Sequence, residues 1–229
     1  PFCKFKLPKK IFIKPLIFFS ISMGVLVYVF MNLSLYYSSI ISPIILGSQL
    51  AIPFGILASA FLLNENISKN KWFLIFASFI GITIIFFDPK LAENFLGLFF
   101  ASLMALFFGL AQVYSRQLKD LPISLINAST GLFGFFILII ISLFLEGNVD
   151  VNIKEININS WLLISYQALI VSLFAHLLMF YLYKFYTVGQ IFPFYSLFPI
   201  FGIILTYLVF GEVPSIMFIL GGIIVITSV

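Results

Sequence analysis

Gln49–Ser68 reads QLAIPFGILASAFLLNENIS. It is an apolar run with one proline, a ridge of small residues and an acidic turn at its end. A second stretch of the same design lies downstream, Leu197–Ser215, LFPIFGIILTYLVFGEVPS. At an offset of 147 positions, Leu50 meets Leu197, Gly55 meets Gly202, Glu65 meets Glu212 and Ser68 meets Ser215. The prolines fall one residue out of step, Pro53 against Pro199. Self-similarity at a fixed offset outranks any local motif as a fold signal, so the chain reads as two structural repeats.

The setting of that repeat is a membrane. Of 229 residues, 62% are hydrophobic and 9% charged, with mean hydropathy +1.21. Soluble domains carry roughly 25% charged residues. Backbone polar groups in lipid must be satisfied within the segment, which leaves helices or closed barrels. The apolar runs are about 20 residues long and do not alternate, which selects helices. Cys3 stands alone, so there is no intrachain disulfide and no thiolate cluster for a metal. The chain opens on Pro1 rather than Met, and a missing N-terminus is expected. The first apolar run exceeds a signal peptide's roughly 7–15-residue core and lacks an A-x-A-like site.

The expected fold is an all-α integral membrane protein with eight transmembrane helices. They run over Pro15–Tyr37, Ser39–Leu63, Trp72–Phe87, Phe95–Ser115, Ser124–Leu145, Trp161–Tyr183, Gly189–Phe210 and Ser215–Val229. The third and eighth are short. The side of Pro1 receives Lys4, Lys6, Lys9, Lys10, Lys14, Lys69, Lys71, Arg116, Lys119 and Lys184, against Lys90 and Lys154 opposite. Ten against two places the first side, and both ends of the chain, in the cytoplasm. All eight acids lie in connections, so the net charge of +4 is topological. No basic face with aromatic platforms marks a nucleic-acid site. Five spans separate the turn at Glu65 from that at Glu212. Five is odd, so the two repeats are inverted, as in many secondary transporters.

In these motifs the chain resembles the drug/metabolite transporter superfamily, and within it the EamA-domain members. The first copy reads SLYYSS at Ser34–Ser39, then Pro53, then NENIS at Asn64–Ser68, then Gly81. The second reads YKFYTVGQ at Tyr183–Gln190, then Pro199, then GEVPS at Gly211–Ser215, then Gly221-Gly222. The first copy departs from the pattern with Asn64 where Gly is usual and Leu74 where a glycine is expected. The resemblance implies ten helices in two five-helix repeats, with two helices ahead of Pro1 absent. It divides the chain into a basic cytoplasmic segment at 1–14, a truncated first repeat at 15–94 and a complete second repeat at 95–229.

Polar residues inside spans are the candidate substrate contacts, because such groups turn to the bundle interior or a wet cavity. His176 is the only histidine, and Ser165, Ser172, His176 and Tyr183 recur at spacings of seven, four and seven, one face of an α-helix. It reads either as a substrate or proton-coupling group or as a neutral imidazole bonded to a neighbouring helix. Gln49 lies one turn before Pro53, whose ring clashes with the Gln49 carbonyl. Pro199 acts likewise on Tyr195, with Ser196 beside it. Each pair reads as a polar site or as a plain helix bend. Tyr28, Asn32 and Tyr36 share a face, with Asn32 as a solute ligand or interhelical glue. Gln112 and Tyr114 are candidates for an inner vestibule. Gly47, Ala51, Gly55 and Ser59, and Gly97, Ala101, Ala105 and Gly109, are packing ridges. Glu65 and Glu212 either pin their turns by accepting N–H bonds or act as gate contacts, and Ser68 and Ser215 read as N-caps.

The function expected is secondary transport (export or exchange) of small organic metabolites by alternating access. No phosphate-binding loop is present, so a gradient or exchange would drive it. A membrane scaffold or regulator without transport is the alternative. A membrane-embedded enzyme ranks behind it, since one His cannot build a multi-His metal site and no span carries an acid pair. No cofactor is expected. The partners are a small-molecule substrate and the lipid bilayer, with a homodimer allowed and no nucleic acid. The membrane expected is the bacterial inner membrane. His176→Ala should abolish or retune solute flux in proteoliposomes with assembly intact. Wild-type flux in that variant would remove His176 from the site.

Overall fold

The computed structural model describes residues 10–88, 94–145, 157–191, 194 and 197–228, and the regular elements among them are all helical. Among the described residues eight helical segments follow in order. α1 is Lys10–Tyr36, α2 covers 42–63, α3 is Lys69–Phe86, α4 is Phe95–Gln117 and α5 is Ile123–Leu145. α6 covers 158–182, α7 comprises the pieces Val188–Ile191 and Leu197–Phe210, and α8 is Ile216–Thr227. Lys10–Tyr36, Ile44–Leu63, Phe95–Gln117, Ile123–Phe144 and Ile158–Met179 are long and apolar enough to cross a membrane. Leu197–Phe210 and Ile216–Thr227 are apolar but shorter.

One departure from regular winding follows from the sequence. Pro53 cannot donate to the Gln49 carbonyl and its ring crowds it. One turn earlier, α2 tightens into a 3-10 segment at Ser48–Leu50. Of the seventh span, expected over Gly189–Phe210, the described residues include the helical pieces Val188–Ile191 and Leu197–Phe210, the latter containing Pro199.

The 147-residue offset governs the backbone as well as the letters. Carried forward, the ends of α1 fall at 157 and 183, and α6 runs from Ile158 to Leu182. α1 is wound as a π-helix at Ser22–Leu26, and α6 is so wound at Gln167–Ala175, which contains the offset positions 169–173. α2 ends at Leu63 and α7 at Phe210. The next residue is left-handed in both copies, Asn64 at φ 54° and Gly211 at φ 68°. Gly or Asn is what that C-terminal position accepts, which accounts for Asn64 standing where Gly is usual. Ser68 Oγ then accepts from Lys71 N and Ser215 Oγ from Phe218 N, so both serines are the N-caps expected.

Contacts divide the chain into two compact units, Pro1–Val25 with Tyr114–Tyr186, and Leu26–Val113 with Thr187–Val229. In the first unit, α1 and α5 cross where Gly24 faces Thr130 and Gly134. Phe18 stacks on Tyr114 at 5.5 Å, and Arg116 donates to the Tyr183 carbonyl.

The core of the second unit gathers Leu46, Leu50, Ile82, Ile85, Leu98, Ala105, Phe218 and Val225. The two small-residue ridges pack on each other. Gly47 faces Leu98 and Ala101, and Gly109 lies against the backbone of Ala51 and Gly55. α3 and α8 run antiparallel, as inverted copies must. Ser78 and Ser228 bond at 2.6 Å at one end, Ser215 donates to Asp88 at the other, and Gly81 faces Gly221 between them.

A methyl group built on Gly221 would lie 2.6 Å from the Gly81 carbonyl oxygen and from Ile85 Cγ1. Gly221→Val should therefore cost about 1–3 kcal/mol by overpacking. Gly131 on α5 meets nothing within 4 Å, so Gly131→Ala should be neutral or gain up to about 1 kcal/mol of helix propensity. Thermal unfolding of the two variants in detergent checks the contrast.

Candidate functional site

The start of α2 has a capping problem. Ile41, at its N-cap, makes no side-chain cap, and Pro43 in the first turn has no N–H. The N–H groups of Ile41 and Ser42 still need acceptors, and in an apolar setting an unmet donor costs about 1–3 kcal/mol. Glu212 meets both. Ile41 N donates to its Oε1 at 2.8 Å and Ser42 N to its Oε2 at 2.9 Å. Ser42 Oγ donates to Oε2 at 2.5 Å. Thr206 Oγ1 on α7 lies 3.0 Å from Ser42 Oγ. Thr206 Oγ1 also donates to the Ile203 carbonyl at 3.0 Å, so its one proton serves its own helix as well as the Ser42 contact. A negative charge at a helix N-terminus is favoured by the helix dipole as well.

The local sequence delivers that carboxylate. Gly211 ends α7 in the left-handed region, Ser215 caps α8, and Glu212 lies between them. The expectation that Glu212 pins its own turn is corrected in its partner. It accepts N–H bonds from a segment about 170 residues earlier in the chain. Glu65, its counterpart, is half-buried, and its own backbone N–H bonds to the Ser59 carbonyl.

A second tie stands beside the first. Asn94, 3% exposed, accepts at Oδ1 from Ser38 Oγ, Ser39 N and Ser39 Oγ at 3.0, 2.7 and 3.0 Å. It holds the turn after α1 to the start of α4. The polar residues of both ties (Ser38, Ser39, Ser42, Asn94 and Thr206) lie outside the sequence-derived candidate list. The readable signal was a helix opening on Ile41-Ser42-Pro43 without a capping side chain at its N-cap.

The other candidates are placed as follows. Gln49 is 4% exposed, within the 3-10 segment, and its Oε1 has no hydrogen-bond partner among the described residues. Gln112 is fully buried, and neither of its amide atoms has a partner among them. It is enclosed rather than facing an open vestibule. It extends the α4 face of Leu98, Ala101, Ala105 and Gly109, the face that packs on α2. Asn32 Nδ2 donates to the Tyr28 carbonyl at 2.9 Å, so its bond is to its own helix, and Tyr36 is exposed. Gln167–Ala175 is wound as a π-helix, so the 3.6-residue spacing that relates Ser165, Ser172 and His176 is not the local winding there. The His176 side chain, and Tyr195 and Ser196 entire, lie outside the described residues. Pro53 lies within α2 and Pro199 within the Leu197–Phe210 piece of α7. No cluster of three or more metal-ligating side chains occurs among the described residues.

Residues 95–229, more than half of the chain, match the family pattern described as the EamA-like transporter family. The chain belongs to the EamA-like transporter family. No curated protein matches it. Membership and the apolar helices make it a multi-pass integral membrane protein of a small-molecule transporter family.

Ser42→Ala removes one of the three donors on the Glu212 carboxylate and leaves the two N–H bonds. The expected loss is about 1.5–3 kcal/mol, the usual worth of a bond to a charged group. Detergent unfolding reads it, with Ser48→Ala as a control whose hydroxyl bonds only within its own helix. Equal stability of the two variants would contradict the assignment.

Proposed function

We propose that this EamA-family protein is a secondary transporter that carries small organic metabolites by alternating access, driven by a gradient or by exchange. The observation that carries the reading is the pair of buried carboxamides. Gln49 Oε1 and both amide atoms of Gln112 are buried and have no partner among the described residues. Buried polar groups are almost always bonded, and an orphan calls for an explanation. A solute that presents hydrogen-bond donors and acceptors would supply the missing partners when the helices part. The 3-10 break at Ser48–Leu50 favours that role, since interrupted helices build midplane sites in transporters.

Gln49 and Gln112 are then the leading substrate contacts. His176, Tyr195, Ser196, Ser172, Asn32 and Tyr28 complete the proposed cavity. Glu65 and Glu212 serve at its ends, and Pro53 and Pro199 set the helix bends. The proposed setting is a bacterial inner membrane, with the lysine-rich side cytoplasmic. No chemical step is assigned to any residue.

Counterflow in proteoliposomes, screened over pools of metabolites, tests the reading with Gln112→Leu as the diagnostic variant. Removing an unsatisfied buried amide should leave stability unchanged or raise it by about 1–3 kcal/mol, while flux falls at least tenfold. A destabilised Gln112→Leu that still transports would make Gln112 a structural group. Absence of flux for every pool, with the wild-type protein folded, would overturn transport.

A further inference from the structure

The tie at Glu212 has a counterpart written into the repeat. Shifted by 147, Ile41 and Ser42 become Val188 and Gly189, and Glu212 becomes Glu65. The opening of α2 packs on α7, and Val188–Ile191 in turn packs on the body of α2, the helix that leads into Glu65. These are the same two junctions with the repeats exchanged. In one the carboxylate is engaged by two N–H groups and a hydroxyl. In the other, no hydrogen bond to the Glu65 carboxylate is made among the described residues. The turn there is closed locally instead, with Thr187 N and Oγ1 donating to Gln190 Oε1 at 3.0 and 3.2 Å.

We propose that Glu65 and Glu212 are alternating clasps. Glu212 on Ile41–Ser42 closes one end of the second compact unit in the conformation described. Glu65 on the backbone N–H groups of Val188 and Gly189 closes the opposite end in the alternate conformation. The inference rests on the alternating-access reading above. The two clasps differ in strength, because the serine hydroxyl that bonds Glu212 is replaced by Gly189 in the second copy. Glu212 has three donors and Glu65 two, so the Glu212-closed form is the resting one.

The test uses spin labels on the full chain, with Cys3→Ser as background. One label pair is at Tyr37 and Val213, exposed beside the Glu212 clasp, and the other is at Leu62 and Gln190, exposed beside the Glu65 junction. Glu212→Gln should lengthen the Tyr37–Val213 distance and raise the short Leu62–Gln190 population by about tenfold. Ser42→Ala, the milder variant, should move both distances the same way by less. Glu65→Gln should leave the Tyr37–Val213 distance unchanged and abolish the short Leu62–Gln190 population seen with Glu212→Gln when the two are combined. Wild-type distances in Glu212→Gln, or lengthening at both ends, would overturn the clasps. Distances that switch as stated in a protein without counterflow would uphold the clasps and fail the transport reading. Counterflow with unchanged distances would do the reverse.

Discussion

A helix that begins inside a membrane protein has N–H groups with no water to turn to. The opening of α2 at Ile41-Ser42-Pro43 has that difficulty in full, with no capping side chain at its N-cap and a proline in the first turn. Its solution lies in the other repeat. The Glu212 carboxylate spans the two N–H groups and the Ser42 hydroxyl, and Thr206 supports the hydroxyl from α7. One side chain thereby satisfies one helix start, ties α2 to the α7–α8 turn and joins residues from the two repeats. In lipid this carries more weight than in a soluble protein. Hydrocarbon tails are as apolar as Leu or Phe, so burying those side chains between helices supplies little drive to associate.

The same logic explains how two sequences so unlike in detail produce one backbone plan. What the copies share at the ends of their helices is punctuation. A left-handed residue ends the helix, whether Asn64 or Gly211, and a serine caps the next one three residues before its N–H partner. Between these marks nearly any apolar residue serves, which is why Phe and Ile fill the spans without spoiling the register. The π-wound segments at Ser22–Leu26 and Gln167–Ala175 obey the offset too. Their residues share little beyond apolarity, so the winding is a property of position in the fold.

That distinction marks what was legible in the sequence. The eight spans were, because each is an apolar run between polar connections, and so were the Ser68 and Ser215 caps and the facing small-residue ridges. The π-winding was not, because a face drawn at 3.6 residues per turn assumes the winding it is meant to detect. The Glu212 tie was half legible. The acid stood out, but its partners are about 170 residues away and one repeat removed, a distance that no local pattern spans. Asn94 was missed for the same reason. It looks like a loop residue and is a three-fold acceptor. Of the candidate cavity, Gln49 was nominated as a polar residue near mid-span and Gln112 as one near the cytoplasmic end of its span, and the structure adds that their amides are buried without full partners among the described residues.

The glycine contacts and the polar ties act on different coordinates. Where Gly81 meets Gly221, and Gly109 meets Ala51 and Gly55, backbones touch without interlocking side chains. Such a contact resists separation, through dispersion over a long flat area, more than it resists sliding. The carboxylate ties do the opposite. Each is short, directional and lost within an ångström or two of displacement, so it fixes where along the slide the helices rest. A transporter needs both kinds of contact, a seam that stays shut while it moves and a stop that can be released. Gly81, Gly109 and Gly221 lie within their spans, whereas Glu65 and Glu212 lie at span ends.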